Sequence, residues 1–192
     1  MISFKYLILL STLTLAHFCS TAEHHKRHSK QVSKDAAHFL NAIQTDSKLG
    51  SLKAPQLWHM NFSAQPSKKD LANAKKAGVE VVISLRNEKE NPYNEAAEAK
   101  KLGLEYHQIP LFDDKGEIDS KSVAKLEELH HATHKQKQLI HCSSGNRAAA
   151  WFAIHVAKKH QLSADDSEKI GEKLGMDKDN MKTQTRTFIK NI

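Results

Sequence analysis

The stretch QLIHCSSGNRAAAWFAIHV, Gln138 to Val156, passes from an apolar run to an alanine-rich one through one cysteine and three small residues. Gln138 to Cys142 reads as a strand, and a helix opening at Arg147 and running through Lys159 follows at once. Working outward, the same alternation recurs. VEVVISLR (79–86) is a β-branched strand, preceded by a helix that the capping pattern SKKD (67–70) opens and Gly78 ends. Pro92 to Gly103 predicts a helix, LEYHQIP (104–110) a strand, and Ser120 to His134 a helix with Val123, Leu126 and Leu129 on one face. Upstream, Ala36, Phe39, Leu40 and Ile43 predict a helix from Ser33 to Gly50, and LWHMNF (57–62) a short strand. Two further helices are expected over 163–174 and 177–188. The fold class is therefore α/β, a mostly parallel central sheet flanked by helices. Such sheets hold ligands at the carboxyl ends of their strands, where Cys142 and the loop after Ile109 both fall.

The first 22 residues have the three parts of a secretory signal: Lys5, the apolar run Tyr6 to Phe18, and small residues at Ser20-Thr21-Ala22. The run is too short to read as a membrane span, so no stable span is expected after cleavage, and the protein is expected to be periplasmic or secreted. His17 and Phe18 are poor matches to the small residues that precede a lipidated cysteine, which disfavours that role for Cys19. Cleavage would leave Cys142 as the single cysteine, either buried and inert or kept for its reactivity. Residues 23–56 are expected to form a basic arm and a helix, 57–176 an α/β domain, and 177–192 a C-terminal helix. Part of the formal net charge of +7 lies in EHHKRHSK (23–30). The excess suits an anionic partner, but aromatic and basic residues do not interleave as in single-strand binders, so no nucleic acid is expected.

In HCSSGNR (141–147), Ser143, Ser144 and Gly145 let the backbone curl with its N–H groups inward, at a helix N-terminus that adds partial positive charge. A cysteine so placed is expected to ionise readily. Arg147 supplies a planar fork for two oxygens of a tetrahedral anion. Nucleophile and anion site together suit covalent phosphoryl or sulfur transfer without metal or organic cofactor.

Three segments then resemble the Cys-based phosphatase superfamily: FSAQPSKKDLANAKKAGVEVVISLRNEKE, GLEYHQIPLFDD and IHCSSGNRAAAWFAIHV. The resemblance is closest to the bacterial beta-lactamase hydrolase-like, phosphatase-like domain family, and it spans roughly Leu57 to Met176. It implies a Cys-phosphatase-like fold acting on phosphomonoesters through a phosphocysteine. Cys142 would be the nucleophile, and Arg147 with the amides of Ser143, Ser144, Gly145 and Asn146 would hold the phosphate oxygens. His141 would steady the loop. Asp114, with Asp113 second, would protonate the leaving group, and Gln65 would wall the pocket. Arg86 is a candidate secondary anion contact, although an ion pair with Glu88 or Glu90 is the simpler reading.

Two departures keep other functions open. Four residues separate Cys142 from Arg147, one fewer than is usual in that superfamily and equal to the spacing in rhodaneses. Ala148 stands where many phosphatases have a hydroxyl that helps the thiolate leave. A sulfurtransferase and a non-catalytic anion-binding module therefore remain beside the phosphatase. His130 and His134 lack the intervening Glu and third ligand of a metal helix and read as a hydrated face. His24, His25 and His28 could bind a transition metal loosely, and a disordered tail explains them as well. Asp119 reads as the start of the helix after it, and Trp151, Phe152, Ile154 and Val156 as packing residues.

Overall fold

The computed structural model describes residues 34–192. The expected signal segment 1–22 and the arm EHHKRHSK lie outside the described residues.

Four parallel strands carry the molecule. A five-stranded sheet has the order β3 (Gln56–Leu57), β4 (Met60–Ser63), β7 (Gln138–His141), β5 (Val81–Ser84), β6 (Glu105–Gln108), with only β3 antiparallel to its neighbour. Every residue of β4, β5 and β7 is buried, as expected of strands covered on both faces. Side chains alternate between two apolar layers. Met60, Phe62, Val81, Ile83 and Ile140 join one, and Val82 and Leu139 the other.

The helices α2 (Lys68–Lys76) and α3 (Glu95–Lys101) cover the second layer through Leu71, Ala74 and Ala99. The first is covered by α1 (34–42), α4 (Ser120–Ala132), α5 (Asn146–His160), α6 (Ala164–Leu174) and α7 (Asp179–Lys190). Ser67 and Asp70 form the expected capping box: the Ser67 hydroxyl accepts from the Asp70 amide at 3.2 Å, and the Asp70 carboxylate accepts from the Ser67 amide at 3.0 Å. Nearly all of α5 is buried, with Trp151 and Phe152 inside. Its small residues Ala148 to Ala150 allow close approach, and Lys158, Lys159 and His160 complement the dipole at its exposed end. Among the described residues no helix is long and apolar enough to cross a membrane.

Two expectations at the N-terminal side need correction. The helix expected to reach Gly50 ends at residue 42, where its apolar spacing stops. Gly50, at φ 68°, instead opens the two-residue turn of a hairpin, β1 (Lys48–Leu49) with β2 (Leu52–Lys53), because that turn needs a positive φ. The single strand expected over 57–62 is likewise folded on itself, with β3 and β4 meeting at Trp58-His59 and Trp58 at φ 53°. Helix α1 is held by Phe39, whose ring meets Phe152 at 6.2 Å, while Phe62 meets Phe152 at 5.4 Å.

The register decides what happens at the sheet's carboxyl edge. Ser63, Ser84 and His141 lie in one row, and Gln108 lies beside Ser84. The segments beginning at Ala64, Leu85, Ile109 and Cys142 consequently leave the sheet side by side.

A histidine cluster pins α4 to α5 and to the β3–β4 turn. The His130 ring stacks on His59 at 6.0 Å and meets His155 at 5.0 Å, and the His155 Nδ1 is 2.9 Å from the Glu127 carboxylate. Burial and then the charge of His155 bring His130 down to about 4. Burial followed by the charge of His134 lowers His59 also. The unfolded chain thus takes up protons near pH 6.5 that these folded side chains take up only at lower pH, so stability falls as pH drops from about 6.5 toward 4. In urea titrations at pH 7 and pH 4.5, His130→Gln should lose less of its midpoint than the wild-type protein. Equal losses would remove His130 as the source of acid sensitivity.

Candidate active site

The segment after β7 bends back over its own cysteine. Gly145 takes φ 92°, which only glycine adopts without strain, and its amide donates to the Cys142 Sγ at 3.1 Å. A Cβ at 145 would lie 3.6 Å from the Ser63 backbone, an ordinary contact, so the positive φ rather than lack of space calls for glycine. The Cys142 amide donates to the Ser63 carbonyl at 3.3 Å, and Ser144 bridges to Ala64. Cys142 is a free thiol, fully buried, while Ser143 and Ser144 are exposed at the rim.

Arg147, only 7 % exposed, is fixed from three sides. Its Nη1 donates to the Leu85 carbonyl at 3.2 Å and to the Glu90 carboxylate at 2.8 Å; its Nη2 donates to the Ser143 hydroxyl at 3.2 Å. Arginine has five N–H donors, so Nε–H and one Nη2–H keep no partner among the described residues. Glu90, in a short 3-10 turn (Glu88–Glu90), is pushed up by partial burial, but the hydrogen bond and charge of Arg147 outweigh this and hold its carboxyl below the usual range.

Asn146 braces the loop from behind. Its Nδ2 donates to the Ser144 hydroxyl at 3.3 Å and to the Asp177 carboxylate at 2.8 Å. Its Oδ1 accepts from the amides of Asp177 at 3.0 Å and Lys178 at 2.9 Å. The expected use of Asn146 was its backbone amide; the side chain also ties the loop to the α6–α7 corner.

His141 and Glu95 are both fully buried in their side chains, with His141 Nε2 3.1 Å from Glu95 Oε1. Glu95 also accepts from Gln65 Nε2 at 3.1 Å and from the Tyr106 hydroxyl at 3.3 Å. Gln65 lies in the β4–α2 segment, and its Oε1 accepts from Arg86 Nη1. The remaining groups of Arg86 go to Glu90: Nη2 donates to its carbonyl, and Nε is 3.9 Å from its carboxylate. Arg86 thus makes the ion pair expected as its simpler role.

The two aspartates after β6 differ. Asp113 Oδ1 accepts from the amides of Lys115 at 2.9 Å and Glu117 at 3.0 Å, which commits it to folding the turn between the bridged Phe112 and Ile118. Asp114 is exposed and its carboxylate has no hydrogen bond among the described residues. The Phe112 ring two residues away lies 5.5 Å from the Arg147 guanidinium carbon, so this loop does reach the Cys142–Arg147 segment. Asp119 caps α4 by accepting from the amides of Lys121 and Ser122, and the Ser122 hydrogen bond foremost holds its carboxyl low.

Four contributors were not legible in the sequence: Glu90 on Arg147, Glu95 against His141, Asp177 on Asn146, and Phe112 against Arg147. Their separations along the chain leave no local signal, and only Glu90 was implicated, through Arg86. His130 and His134 are not brought together, since His134 Nδ1 turns to the His131 carbonyl at 2.7 Å. No group of three or more His, Cys, Asp or Glu side chains suited to a metal occurs among the described residues.

No family model matches the chain. It is similar to the beta-lactamase hydrolase-like proteins of two strains of Xylella fastidiosa, each 28 % identical over 121 residues. That match covers 60 % of this chain and 27 % of the relatives, so the chain spans about a quarter of their length. Among solved structures, TpbA of P. aeruginosa aligns with TM-score 0.61 at 16 % identity, over 78 % of this chain and 89 % of that one. The same protein as a cysteine-to-serine variant, in complex with phosphotyrosine, aligns with TM-score 0.60 at 16 % identity, over 77 % and 87 %. Tk-PTP in its active form aligns with TM-score 0.59 at 18 % identity, over 69 % and 91 %. The chain has the Cys-phosphatase fold that the sequence resemblance implied.

Replacing Asn146 by Ala removes four hydrogen bonds, two of them to the carboxylate and amide of Asp177. Its expected cost is about 1–3 kcal/mol. Chemical denaturation of Asn146→Ala beside the parent checks this; an unchanged midpoint would mean that the α6–α7 corner does not hold the loop.

Proposed function

We propose that the protein is an exported, Cys-dependent hydrolase of phosphomonoesters. The observation that carries the reading is one loop holding both parts of the chemistry: an amide directed at the Cys142 sulfur, and a buried Arg147 with two unengaged N–H donors.

The reaction runs in two balanced steps. The Cys142 thiolate attacks phosphorus, forming S–P as P–O breaks, and Asp114 gives its proton to the departing oxygen. Water then attacks the phosphocysteine, S–P breaks to restore the thiolate, and Asp114 takes the proton from the water. Arg147 and the amides of residues 143–146 hold the equatorial oxygens as charge moves onto them. Three observations support these roles. Asp114 is the aspartate that its own turn does not consume, its loop packs on Arg147, and the TpbA variant holds phosphotyrosine on a similar fold. Since Cys142 is fully covered, attack requires the residues over its sulfur to move aside. Export rests on Lys5 and the apolar run Tyr6 to Phe18. Outside the cytosol the thiol would need a reductant to stay active.

The four-residue spacing favours sulfur transfer as a second reading, in which Cys142 would carry a sulfane sulfur.

Reduced protein is expected to hydrolyse p-nitrophenyl phosphate, with Cys142→Ser inactive and Arg147→Ala about 10²- to 10³-fold slower. Asp114→Asn should cost about 10²- to 10⁴-fold on an alkyl phosphate and far less on p-nitrophenyl phosphate, whose leaving group needs no proton. Asp113→Asn should fall less, because the amide oxygen still closes the turn. Inactivity toward both esters, combined with turnover of thiosulfate that Cys142→Ser abolishes, would exchange this reading for sulfur transfer.

A further inference from the structure

A cavity of about 470 Å³ adjoins the anion loop and plays no part in the chemistry above. It lies between the β1–β2 hairpin and the α6–α7 corner, with Ser144 and Gly145 of the loop in its wall. Its volume is in the range of small-molecule sites. Its floor is apolar, with the buried Phe62 and Leu174, and two cations stand at its sides, Lys53 and Lys173.

The charges in this cavity do not cancel. Of its two acids, Glu172 pairs with Lys182 at 2.6 Å, while Asp177 keeps its charge and accepts from the neutral Asn146 amide at 2.8 Å. Lys53 forms no ion pair among the described residues, and Lys173 donates only to the Leu40 carbonyl, at 2.5 Å. Ser144 accepts from Asn146, so its hydroxyl proton remains free to donate toward the cavity. Two ammonium groups against one unpaired carboxylate leave an excess of positive charge, which with the hydroxyl, over an apolar floor and beside the loop proposed to hold phosphate, fits a second anionic group on the substrate.

We infer that the cavity is a second anion subsite, so that the substrates are small bis-anionic phosphoesters. One phosphate would enter the Cys142 loop, a short apolar spacer would lie over Phe62 and Leu174, and the second anion would meet Lys53 and Lys173. This rests on the phosphatase reading for the first phosphate. The second anion is a phosphate or a carboxylate, since an ammonium accepts either.

The test uses alkanediol bisphosphates of graded length, ω-carboxyalkyl phosphates of matching length, and the alkyl monophosphates. Binding to the Cys142→Ser protein is measured by calorimetry, and hydrolysis by the wild type in parallel. One spacer length is expected to bind about tenfold tighter than its monophosphate, with the same preference in KM, and the preference should shrink as salt is added. In the double variant Lys53→Ala, Lys173→Ala the bis- to monoanion ratio should fall to about one, while single Lys→Arg variants keep it. Comparing bisphosphate with carboxyalkyl phosphate identifies the second group. Binding that favours the dianion without any turnover upholds the subsite and overturns the hydrolase. Turnover of monophosphates with no preference for any dianion overturns the subsite alone. A preference that survives the double variant places the second anion elsewhere, and binding of neither ligand overturns both.

Discussion

A guanidinium buried to 7 % exposure would be costly to leave unpaired, and the arrangement around Arg147 follows from meeting that need. Its three partners come from different parts of the chain: the Leu85 carbonyl after β5, the Glu90 carboxylate in the following turn, and the Ser143 hydroxyl after β7. They can converge because β5 and β7 pair in parallel with Ser84 beside His141, which brings the two following segments out together. A slip of one residue in that pairing would turn the buried side chains of β7 to the opposite faces and part the arginine from its carbonyl. The position and pairing of Arg147 are therefore consequences of sheet register.

Behind the loop, side chains rather than regular structure join the strand ends. Gln65 stands between two arms: its amide oxygen takes Arg86, and its nitrogen donates to Glu95. Glu95 meets His141 on one side and the Tyr106 hydroxyl on the other. Burial and then the Glu95 charge push Tyr106 up to about 12, so it remains a donor across ordinary pH. The β4–α2, β5–α3 and β7–α5 segments thereby share one polar network. Gln65 and Glu95 are its hubs, while the ring nitrogens of His141 and the Nε of Arg86 keep no hydrogen-bond partner among the described residues.

How much of this could be read in advance depended on whether the signal was local. The strand-loop-helix of 138–156 was legible because Leu139 and Ile140, the small residues and the alanine run follow one another directly. The Ser67/Asp70 box was legible for the same reason, and the opposition of the 110–119 loop to Cys142 followed from the rule for parallel sheets. Trp58 and Gly50 were misread because a positive φ in two adjoining short hairpins leaves almost no periodicity to see. Glu95 was invisible because a glutamate in the first turn of a helix looks like an ordinary solvated residue until tertiary packing buries it. Asp113 and Asp114 could not be ranked on physical grounds from sequence, since which of them closes the turn depends on the amides of Lys115 and Glu117.

The short spacing between Cys142 and Arg147 has a structural consequence of its own. With four residues to cover the turn, Gly145 must take a left-handed conformation against the Ser63 backbone, and the helix begins immediately at Asn146. No further residue is left within the loop to hold it open. That work passes to the Asn146 side chain, which reaches across to Asp177 and Lys178 and makes the α6–α7 corner part of the site. The same corner walls the cavity with Lys53 and Lys173, so the bonds that brace the Cys142–Arg147 loop also fix the ground beside it. Helices α6 and α7 are in this sense elements of the candidate site, although neither holds a residue proposed to touch the substrate phosphorus.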